Sequence, residues 1–408
     1  MRLDASSNHR IPPKQRLAFV ASGGAIKAAC FHMGACLALQ ERGFRFLGGI
    51  RDATPNPEFP DRTFTIYVGS SAGAFFTALL AAGYSLDEIA DSFVGTAGEG
   101  RLRRIRWKET FLPVKPKPVR YVRELFAKQT RIRGIESYLQ WAFPGSGLFT
   151  TRGIRDFLRS ALPVEIFHDL APELYITGTA LDISRKAVFG PRRADEREGT
   201  FYEDRVPIAD AVAASLALPP IYRPYHIKQG AFPGYYFDGE IRDTLSTGTA
   251  KDVGADLIVS SYTHQPYQYS KAFGSLVRYG IPAIVVQAIY LVVEQKIRLH
   301  HRARQDREVV FEIVDRFFTE HKLDASLRRL LLDELTLALR HRPGVDYLFL
   351  HPDQEADFFF AEHFDLSRRG VERAVNMAYK HVLRQLRPYQ FSFDEQPSID
   401  TLRRAASP

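Results

Sequence analysis

Residues 63–73 read TFTIYVGSSAG, an apolar run that passes at once into a turn of glycine, serine and alanine. The run has the length and the β-branched and aromatic composition of a buried strand. The small and apolar residues that follow, at 74–83, predict a closely packed helix. A strand, a tight turn and a helix in this order are the unit from which parallel sheets are built, so this stretch predicts an α/β fold.

A second unit of the same kind lies upstream. Residues 16–21, RLAFVA, predict a strand, SGGAIK at residues 22–27 a glycine turn, and residues 28–42 a helix that ends at Gly43. Three further strands are predicted, at residues 173–181, 186–189 and 256–261. We therefore expect a mainly parallel central sheet that continues past the middle of the chain.

The pattern beyond residue 279 is mainly helical. A leucine-rich helix is predicted at residues 326–340, and one strand-like run, VDYLFL at residues 345–350, interrupts the helices. We therefore predict a first domain over residues 16–265 and a helix-rich C-terminal region over residues 266–408. Two arrangements stay open, because this region either stands apart or packs on the first domain and adds strand 345–350 to its sheet.

The composition is that of an ordinary folded protein. The 408 residues include 55 Lys and Arg against 47 Asp and Glu, and 45% of them are hydrophobic, which excludes disorder as the main state. The only two cysteines, Cys30 and Cys36, exclude a disulfide scaffold and fit two buried thiols on one helix. The formal net charge of +8 is compatible with nucleic acid, an anionic membrane or an acidic partner.

The sequence shows no targeting or membrane-spanning pattern. Residues 1–15 lack the charged and apolar regions of a secretory signal, and no apolar run reaches the roughly 18 residues of a membrane span. We therefore expect a cytoplasmic protein, able to bind a membrane peripherally. The most apolar stretch, YGIPAIVVQAIYLVV at residues 279–293, predicts a buried helix. If it were exposed, it would form an apolar wedge followed by the basic residues 296–304.

Most of the surplus positive charge lies between Arg101 and Arg133. This segment contains twelve Lys and Arg against two Glu, together with Trp107, Phe111 and Tyr121. Cationic side chains among aromatic ones are typical of contact with an anionic membrane surface. The same composition would also fit a solvent-exposed, partly helical segment that binds no membrane or other partner. RNA binding is a weaker interpretation, and no nucleic acid partner is expected.

The turn GSSAG fits the pattern G-x-S-x-G directly between a strand and a helix. Such a sharp turn strains the backbone at its centre and exposes the hydroxyl there, so Ser71 is the candidate nucleophile. Gly69 and Gly73 form the elbow, because small residues at these positions let the chain fold tightly. The N–H of Ala72, at the start of the helix, points toward developing negative charge. Alternatively, GSSAG is an ordinary flexible turn with no catalytic role.

The upstream glycine turn offers backbone N–H groups at another helix start. Neither G-x-G-x-x-G nor G-x-x-x-x-G-K-[ST] is present, which excludes the common nucleotide-binding fingerprints. Turns after two neighbouring parallel strands lie side by side, so Gly23, Gly24 and Ala25 fit an oxyanion hole next to Ser71. This chemistry needs no cofactor or metal, and the histidines lack the spacing of metal ligands.

A serine nucleophile needs a base, and the best placed carboxylate is Asp238, within GYYFDGE at residues 234–240. An Asp-Gly pair alone is most often only a turn, but the preceding small-residue helix, broken by two prolines, would hold this loop near the site. The order Ser71, Asp238, His264 also suits a Ser-Asp-His triad, so His264 is a candidate third member. His32 is predicted to be a packed or surface residue.

With these motifs, the sequence resembles the patatin-like phospholipase family. Five segments in the family's order carry the resemblance across roughly residues 16–242: SGGAIKAACFHMG, GSSAG, GLFTTRGIRDFL, AASLALPPIYRP and the DG pair. The resemblance implies a three-layer α/β/α fold for a catalytic domain over residues 16–265, with a Ser71–Asp238 dyad. It also implies hydrolysis of acyl esters in phospholipids or other lipids, of the phospholipase A or lysophospholipase type, through an acyl-enzyme intermediate.

Two positions depart from the family pattern. Ala25 stands where the family has a third glycine, and Glu240 follows Asp238-Gly239 where a small residue is usual. Two alternative functions therefore stay open. One is an acyltransferase or thioesterase on the same fold, because an acyl-enzyme can pass its acyl group to acceptors other than water. The other is a catalytically weak module that binds a lipid or a partner.

Overall fold

The computed structural model describes residues 9–94, 101–114, 146–191, 199–264, 266–269, 271, 274–339, 342–352 and 368–395. The strands in these ranges are β1 (His9–Ile11), β2 (Leu17–Ala21), β3 (Arg45–Phe46), β4 (Thr63–Ser70), β5 (Leu112–Pro113), β6 (Phe149–Thr150), β7 (Glu173–Ala180), β8 (Arg185–Phe189), β9 (Thr200–Glu203), β10 (Tyr225–Ile227), β11 (Gly234–Asp238), β12 (Leu257–Ser261), β13 (Asp346–Leu350) and β14 (Tyr389–Phe391). The α-helices are α1 (Ala25–Glu41), α2 (Ala72–Ala81), α3 (Leu86–Val94), α4 (Trp107–Thr110), α5 (Arg152–Ala161), α6 (Ile208–Ser215), α7 (Thr247–Asp252), α8 (Gly280–Glu320), α9 (Ala325–Ala338) and α10 (Arg368–Leu386).

Most strands join one ten-stranded sheet. Its main order is β10-β11-β7-β4-β2-β12-β13, with β3 paired to β4, β8 to β7 and β9 to β8. The strands from β7 to β13 in this order are parallel, whereas β10 and β11 are antiparallel. The register places Ala21, at the end of β2, beside Gly69 of β4 and Ser261 of β12. The turns after β2 and β4 therefore lie side by side.

Helices cover both faces of the sheet. Phe19 of β2 belongs to a core shared with α1 and α2, whereas Val20 belongs to a second core shared with Ala250 of α7. Every residue of β2 is buried, as expected for a parallel strand between two layers of helices. The predicted three-layer α/β/α fold with a mainly parallel sheet is confirmed.

Elements near the C-terminus take part in the same architecture. β13 pairs in parallel with β12 along its whole length, and β14 pairs with β1. α10 crosses α1 closely, since a Cβ on Gly34 would lie only 2.5 Å from the backbone oxygen of Val375. The division of the chain at residue 265 remains a prediction.

The buried helix expected at residues 279–293 is covered on one side only. This stretch begins the 41-residue helix α8. Val286 and Val293 are buried, but Ile281 and Val292 are 60% and 51% exposed, so the prediction is wrong for the outer face. The helix runs along the outside of the molecule, where only one side can contact other elements. No helix among the described residues combines the length and hydropathy needed to cross a membrane.

The basic segment between Arg101 and Arg133 is described only as far as residue 114. In this part, Arg101 forms an ion pair with Glu88 at 2.8 Å, and Arg103 forms one with Glu109 at 2.8 Å. The cations from residue 115 onward lie outside the described residues. Membrane contact through this segment therefore stays a prediction.

Candidate active site

Ser71 occupies the strained turn between β4 and α2 that the sequence predicts. Its φ of 52° and ψ of −124° lie in a region that residues other than glycine rarely adopt. Strain of this kind costs roughly 1–3 kcal/mol and persists only where the surroundings hold it. The surroundings here are the ten residues of α2, all of them buried.

Close backbone packing explains the two elbow glycines. A Cβ on Gly73 would overlap the carbonyl oxygen of Ala21, and one on Gly69 would lie 2.5 Å from the Cα of Ala74. Any side chain at either position would push α2 away from the sheet. The elbow and the end of β2 therefore form one tightly packed unit.

Ser215, the last residue of α6, supports the elbow from the neighbouring segment. Its Oγ accepts the backbone N–H of Ser71 at 2.8 Å, and its side chain is fully buried. The bond satisfies a buried donor, which would otherwise destabilise the strained turn. No signal in the sequence marks Ser215 for this role, because the contact joins residues 144 positions apart.

Asp238 lies at the end of β11 and contacts the nucleophile. β11 pairs with β7 so that Asp238 stands opposite Gly178. The carboxylate accepts the N–H of Glu240 at 3.0 Å, and the Ser71 hydroxyl lies close enough to lower the pKa of Asp238. Burial raises the pKa of Asp238 to about 6, although the Ser71 hydroxyl and the Glu240 N–H both lower it. The carboxylate is therefore ionised at neutral pH and still basic enough to accept a proton.

The glycine turn after β2 lies against the nucleophile. A Cβ on Gly23 would be 3.3 Å from the hydroxyl oxygen of Ser71. The backbone turns through φ values of 133° at Gly24 and 59° at Ala25, so Ala25 adopts a left-handed conformation that favours glycine. Ala72, the first residue of α2, borders the same cavity as this turn. The structure thus brings the predicted nucleophile, base and oxyanion donors together.

One donor of the turn is engaged by a side chain. The N–H of Gly23 donates to Oε1 of Glu240 at 2.9 Å, so this carboxyl group occupies the position expected for an ester oxyanion. Glu240 is 4% exposed. Burial and the nearby charge of Asp238 raise the pKa of Glu240 to about 8, which keeps the group neutral at pH 7. The sequence marks Glu240 as unusual but does not show which donor it meets.

His264 lines the same cavity but does not bridge the dyad. Its Nε2 lies 3.8 Å from Oε2 of Glu240, and its Nδ1 has no hydrogen-bond partner among the described residues. Burial, with a smaller effect of His32, lowers the pKa of His264 to about 3. In the described part of the chain, no hydrogen bond joins His264 to Ser71 or Asp238. These are the two contacts that define a triad.

His32 is fully buried and holds the glycine turn, a role that the sequence does not reveal. Its Nε2 bonds the carbonyl oxygen of Ser22 at 2.8 Å, and its Nδ1 bonds the Oγ of Ser261 at 2.7 Å. Because a carbonyl oxygen can only accept, Nε2 carries the proton and Nδ1 accepts from the hydroxyl. Burial lowers the pKa of His32 to about 4, so the ring stays neutral. His32 thus ties the residue before Gly23 to the end of β12.

A mainly apolar cavity of about 120 Å³, partly open to solvent, extends from these groups. Its apolar and aromatic wall consists of Ala29, Phe75, Phe93, Ile105, Phe111, Ile154, Leu216, Leu218, Ile221, Tyr222, Val286, Ile289, Tyr290 and Val293. Its carboxyl and imidazole groups, those of Asp238, Glu240 and His264, are gathered near Ser71. Such a cavity suits a long apolar chain with one reactive polar group. The described residues contain no group of three His, Cys, Asp or Glu side chains that could hold a metal ion.

Comparison with known proteins tests the resemblance. Human GIVD cytosolic phospholipase A2 in complex with methyl gamma-linolenyl fluorophosphonate aligns with 92% of this chain at 14% identity and a TM-score of 0.35. The alignment spans 59% of that protein's chain. No curated protein matches by sequence. A family profile described as patatin-like phospholipase matches residues 19–251. Since this match covers more than half of the 408 residues, the chain belongs to the patatin-like phospholipase family.

Proposed function

We propose that this protein is a lipid acyl-ester hydrolase of the phospholipase A or lysophospholipase type, acting through Ser71 and Asp238. The observation that carries the proposal is the position of the Ser71 hydroxyl next to the buried Asp238 carboxylate, at one end of an apolar cavity that both residues line. Family membership supports the general activity. The cavity supports a substrate with a long acyl chain.

The proposed reaction has two steps. In the first, Asp238 accepts the proton of Ser71 while the serine Oγ attacks the ester carbonyl carbon, and the carbonyl oxygen becomes an oxyanion beside the glycine turn. The tetrahedral intermediate collapses, and the leaving alcohol takes the proton from Asp238. In the second step, water attacks the acyl-enzyme, gives a proton to Asp238, and releases the fatty acid as Ser71 regains its hydrogen.

The hydrogen bond from the Gly23 N–H to Glu240 must break before this N–H can bind an ester oxygen. We propose that the ester oxygen replaces Glu240 Oε1 as acceptor of the Gly23 N–H. A protonated Glu240 makes this exchange easy, because it carries no charge to repel the oxyanion. An ionised Glu240 would hold the N–H through a stronger, charge-assisted bond. The N–H groups of Gly24, Ala25 and Ala72 are the other candidate donors.

The pH profile of kcat/KM is expected to be bell-shaped. Activity should rise as Asp238 loses its proton near pH 6 and fall as Glu240 loses its proton near pH 8, because the first group must be basic and the second neutral. The substitution Glu240→Gln keeps an acceptor for the Gly23 N–H but cannot ionise. It should abolish the alkaline fall and preserve the acid limb, measured with a soluble ester. An alkaline limb that persists in Glu240→Gln would contradict this role of Glu240.

Product analysis tests the reaction itself. Incubation with a diacyl phospholipid, a lysophospholipid and an acyl thioester, followed by mass spectrometry, should show free fatty acid from the oxygen esters. Transfer of the acyl group to an added alcohol in preference to water would identify an acyltransferase, and cleavage of the thioester alone a thioesterase. Lipid binding without turnover would favour the binding module, for which the occupied Gly23 N–H is the structural argument.

We also propose that the outer face of α8 contacts the lipid surface. Its exposed apolar residues, called here the α8 outer patch, are Ile281, Ile284, Leu291 and Val292, which are 60%, 45%, 49% and 51% exposed. On the inner side of the same helix, Val286 and Tyr290 line the cavity. The helix therefore stands between the cavity and the patch, so a membrane bound there would present its lipids close to the cavity.

Substituting Ile281→Glu together with Ile284→Glu should weaken binding to phospholipid vesicles by about tenfold or more. Each change removes apolar burial worth about 1 kcal/mol or more and adds a negative charge. Leu181→Glu together with Ile183→Glu, at residues that are 42% and 47% exposed on the turn after β7, is the matched control and should bind as wild type. Vesicle sedimentation measures the effect. Binding that disappears with added salt but tolerates the α8 substitutions would instead favour the basic segment.

A further inference from the structure

A second cleft, outside the catalytic cavity, is rich in cationic side chains. It lies beside α5 and β10 and the residues that flank β10. Its positively charged side chains are those of Arg152, Arg155, Arg159, Arg223 and Lys228. Asp210 is the one carboxylate that its described wall contains.

Local carboxylates neutralise only part of this charge. Arg155 pairs with Asp156 at 2.5 Å, and Arg159 approaches Asp210 at 3.6 Å. The other three cations, Arg152, Arg223 and Lys228, have no carboxylate within salt-bridge distance among the described residues. Like charges gathered around one concavity repel each other, and a bound anion would relieve that repulsion.

We propose that this cleft binds a phosphoryl group, carried either by a small free phosphate compound or by the headgroup of an anionic lipid. The planar guanidinium groups of arginine match phosphate oxygens in pairs, and a lysine adds a mobile point charge. Three cations without a carboxylate partner among the described residues suit a phosphate monoester or diphosphate better than a single carboxylate. The half-buried Arg223 stands in the wall, with the exposed Arg152 and Lys228 nearer to solvent.

The cleft and the catalytic cavity share a thin wall. Ile154 and Tyr222 line the cavity, whereas the next residues along the chain, Arg155 and Arg223, line the cleft. A phosphoryl group in the cleft would therefore bind one residue away from the surface that contacts the acyl chain. The proposed binding does not require the hydrolase activity.

Calorimetric titration with inorganic pyrophosphate at fixed ionic strength tests the proposal. The wild-type protein should bind, and Arg152→Gln/Lys228→Gln should bind about tenfold more weakly, because two charge-assisted contacts are lost. Both residues are exposed, so folding should not be affected. Arg223→Gln is a second variant with the same expected direction. The control Arg329→Gln/Arg369→Gln removes two exposed arginines from α9 and α10, changes net charge equally, and should bind as wild type.

Vesicles of phosphatidylcholine, with and without phosphatidic acid, identify the source of the phosphoryl group. Phosphatidic acid-dependent binding that is lost in the cleft variants and kept in the control indicates a lipid headgroup. Pyrophosphate binding that depends on the cleft, with vesicle binding unchanged, indicates a free phosphate compound. The proposal is overturned if the wild type binds neither probe, or if the cleft and control variants weaken binding equally. Neither measurement uses ester turnover. A negative result for phosphoryl binding would therefore not contradict the proposed hydrolase activity.

Discussion

Replacing Ser71 by alanine should lower kcat/KM for lipid ester hydrolysis by about 10⁴-fold or more, since no acyl-enzyme can form without the hydroxyl. The fold should be preserved. The structural contact of this residue, the bond from its backbone N–H to Ser215, does not involve the hydroxyl, and α2 packs through other residues. Fatty acid release measures the activity, and thermal unfolding checks that the variant is folded.

A fluorophosphonate probe gives an independent readout, because it reacts with a serine activated by a neighbouring base. The wild-type protein should be labelled and Ser71→Ala should not. Ser260→Ala is the matched control, since it removes a buried hydroxyl on β12 that has no hydrogen-bond partner among the described residues. Labelling that survives in Ser71→Ala would reject Ser71 as the nucleophile.

Replacing Asp238 by asparagine should reduce kcat/KM by about 10³-fold or more. Asparagine retains the size of the side chain and an acceptor for the N–H of Glu240, but it cannot take the proton of Ser71. The loss should therefore fall on kcat, with little effect on stability.

His264→Ala provides the comparison that separates a dyad from a triad. It should change kcat/KM by less than about tenfold, because a group outside the proton-transfer path cannot contribute the 10²-fold or more that a general base typically does. The geometry supports this expectation, since the imidazole lies 3.8 Å from Glu240 and its Nδ1 is unpaired among the described residues. A loss in His264→Ala as large as that in Asp238→Asn would mean that the dyad is wrong.

The two strand–turn–helix units could be predicted because their signals are local. The apolar run before Ser71, the glycines around it and the small residues after it all lie within a few positions, and each has a direct physical reason. The parallel register of β2 and β4 then brings the two turns together. Asp238 is harder to predict, because its position beside Ser71 depends on an antiparallel strand, β11, that the sequence does not mark clearly.

The contacts that tune the site could not be predicted in the same way. The bond from Gly23 to Glu240 joins residues 217 positions apart, and the support that Ser215 and His32 provide depends on the packing of α6 and α1. A sequence gives the identity of such polar residues but not their partners. For α8, the sequence does not show which face of the helix is buried. Residues 279–293 are apolar on nearly every side, with Gln287 as the main exception, so their periodicity does not distinguish the covered face from the exposed one.

The position of β13 at the edge of the sheet affects how the protein is made. β13 pairs with β12, yet it is separated from it along the chain by the long helices α8 and α9. Until the ribosome has released residues 346–350, β12 is the outermost strand, with a row of backbone groups free to pair with other nascent chains. The later part of the polypeptide thus completes the pairing of a strand made much earlier. A truncation at residue 265 would leave that row uncovered for the lifetime of the fragment.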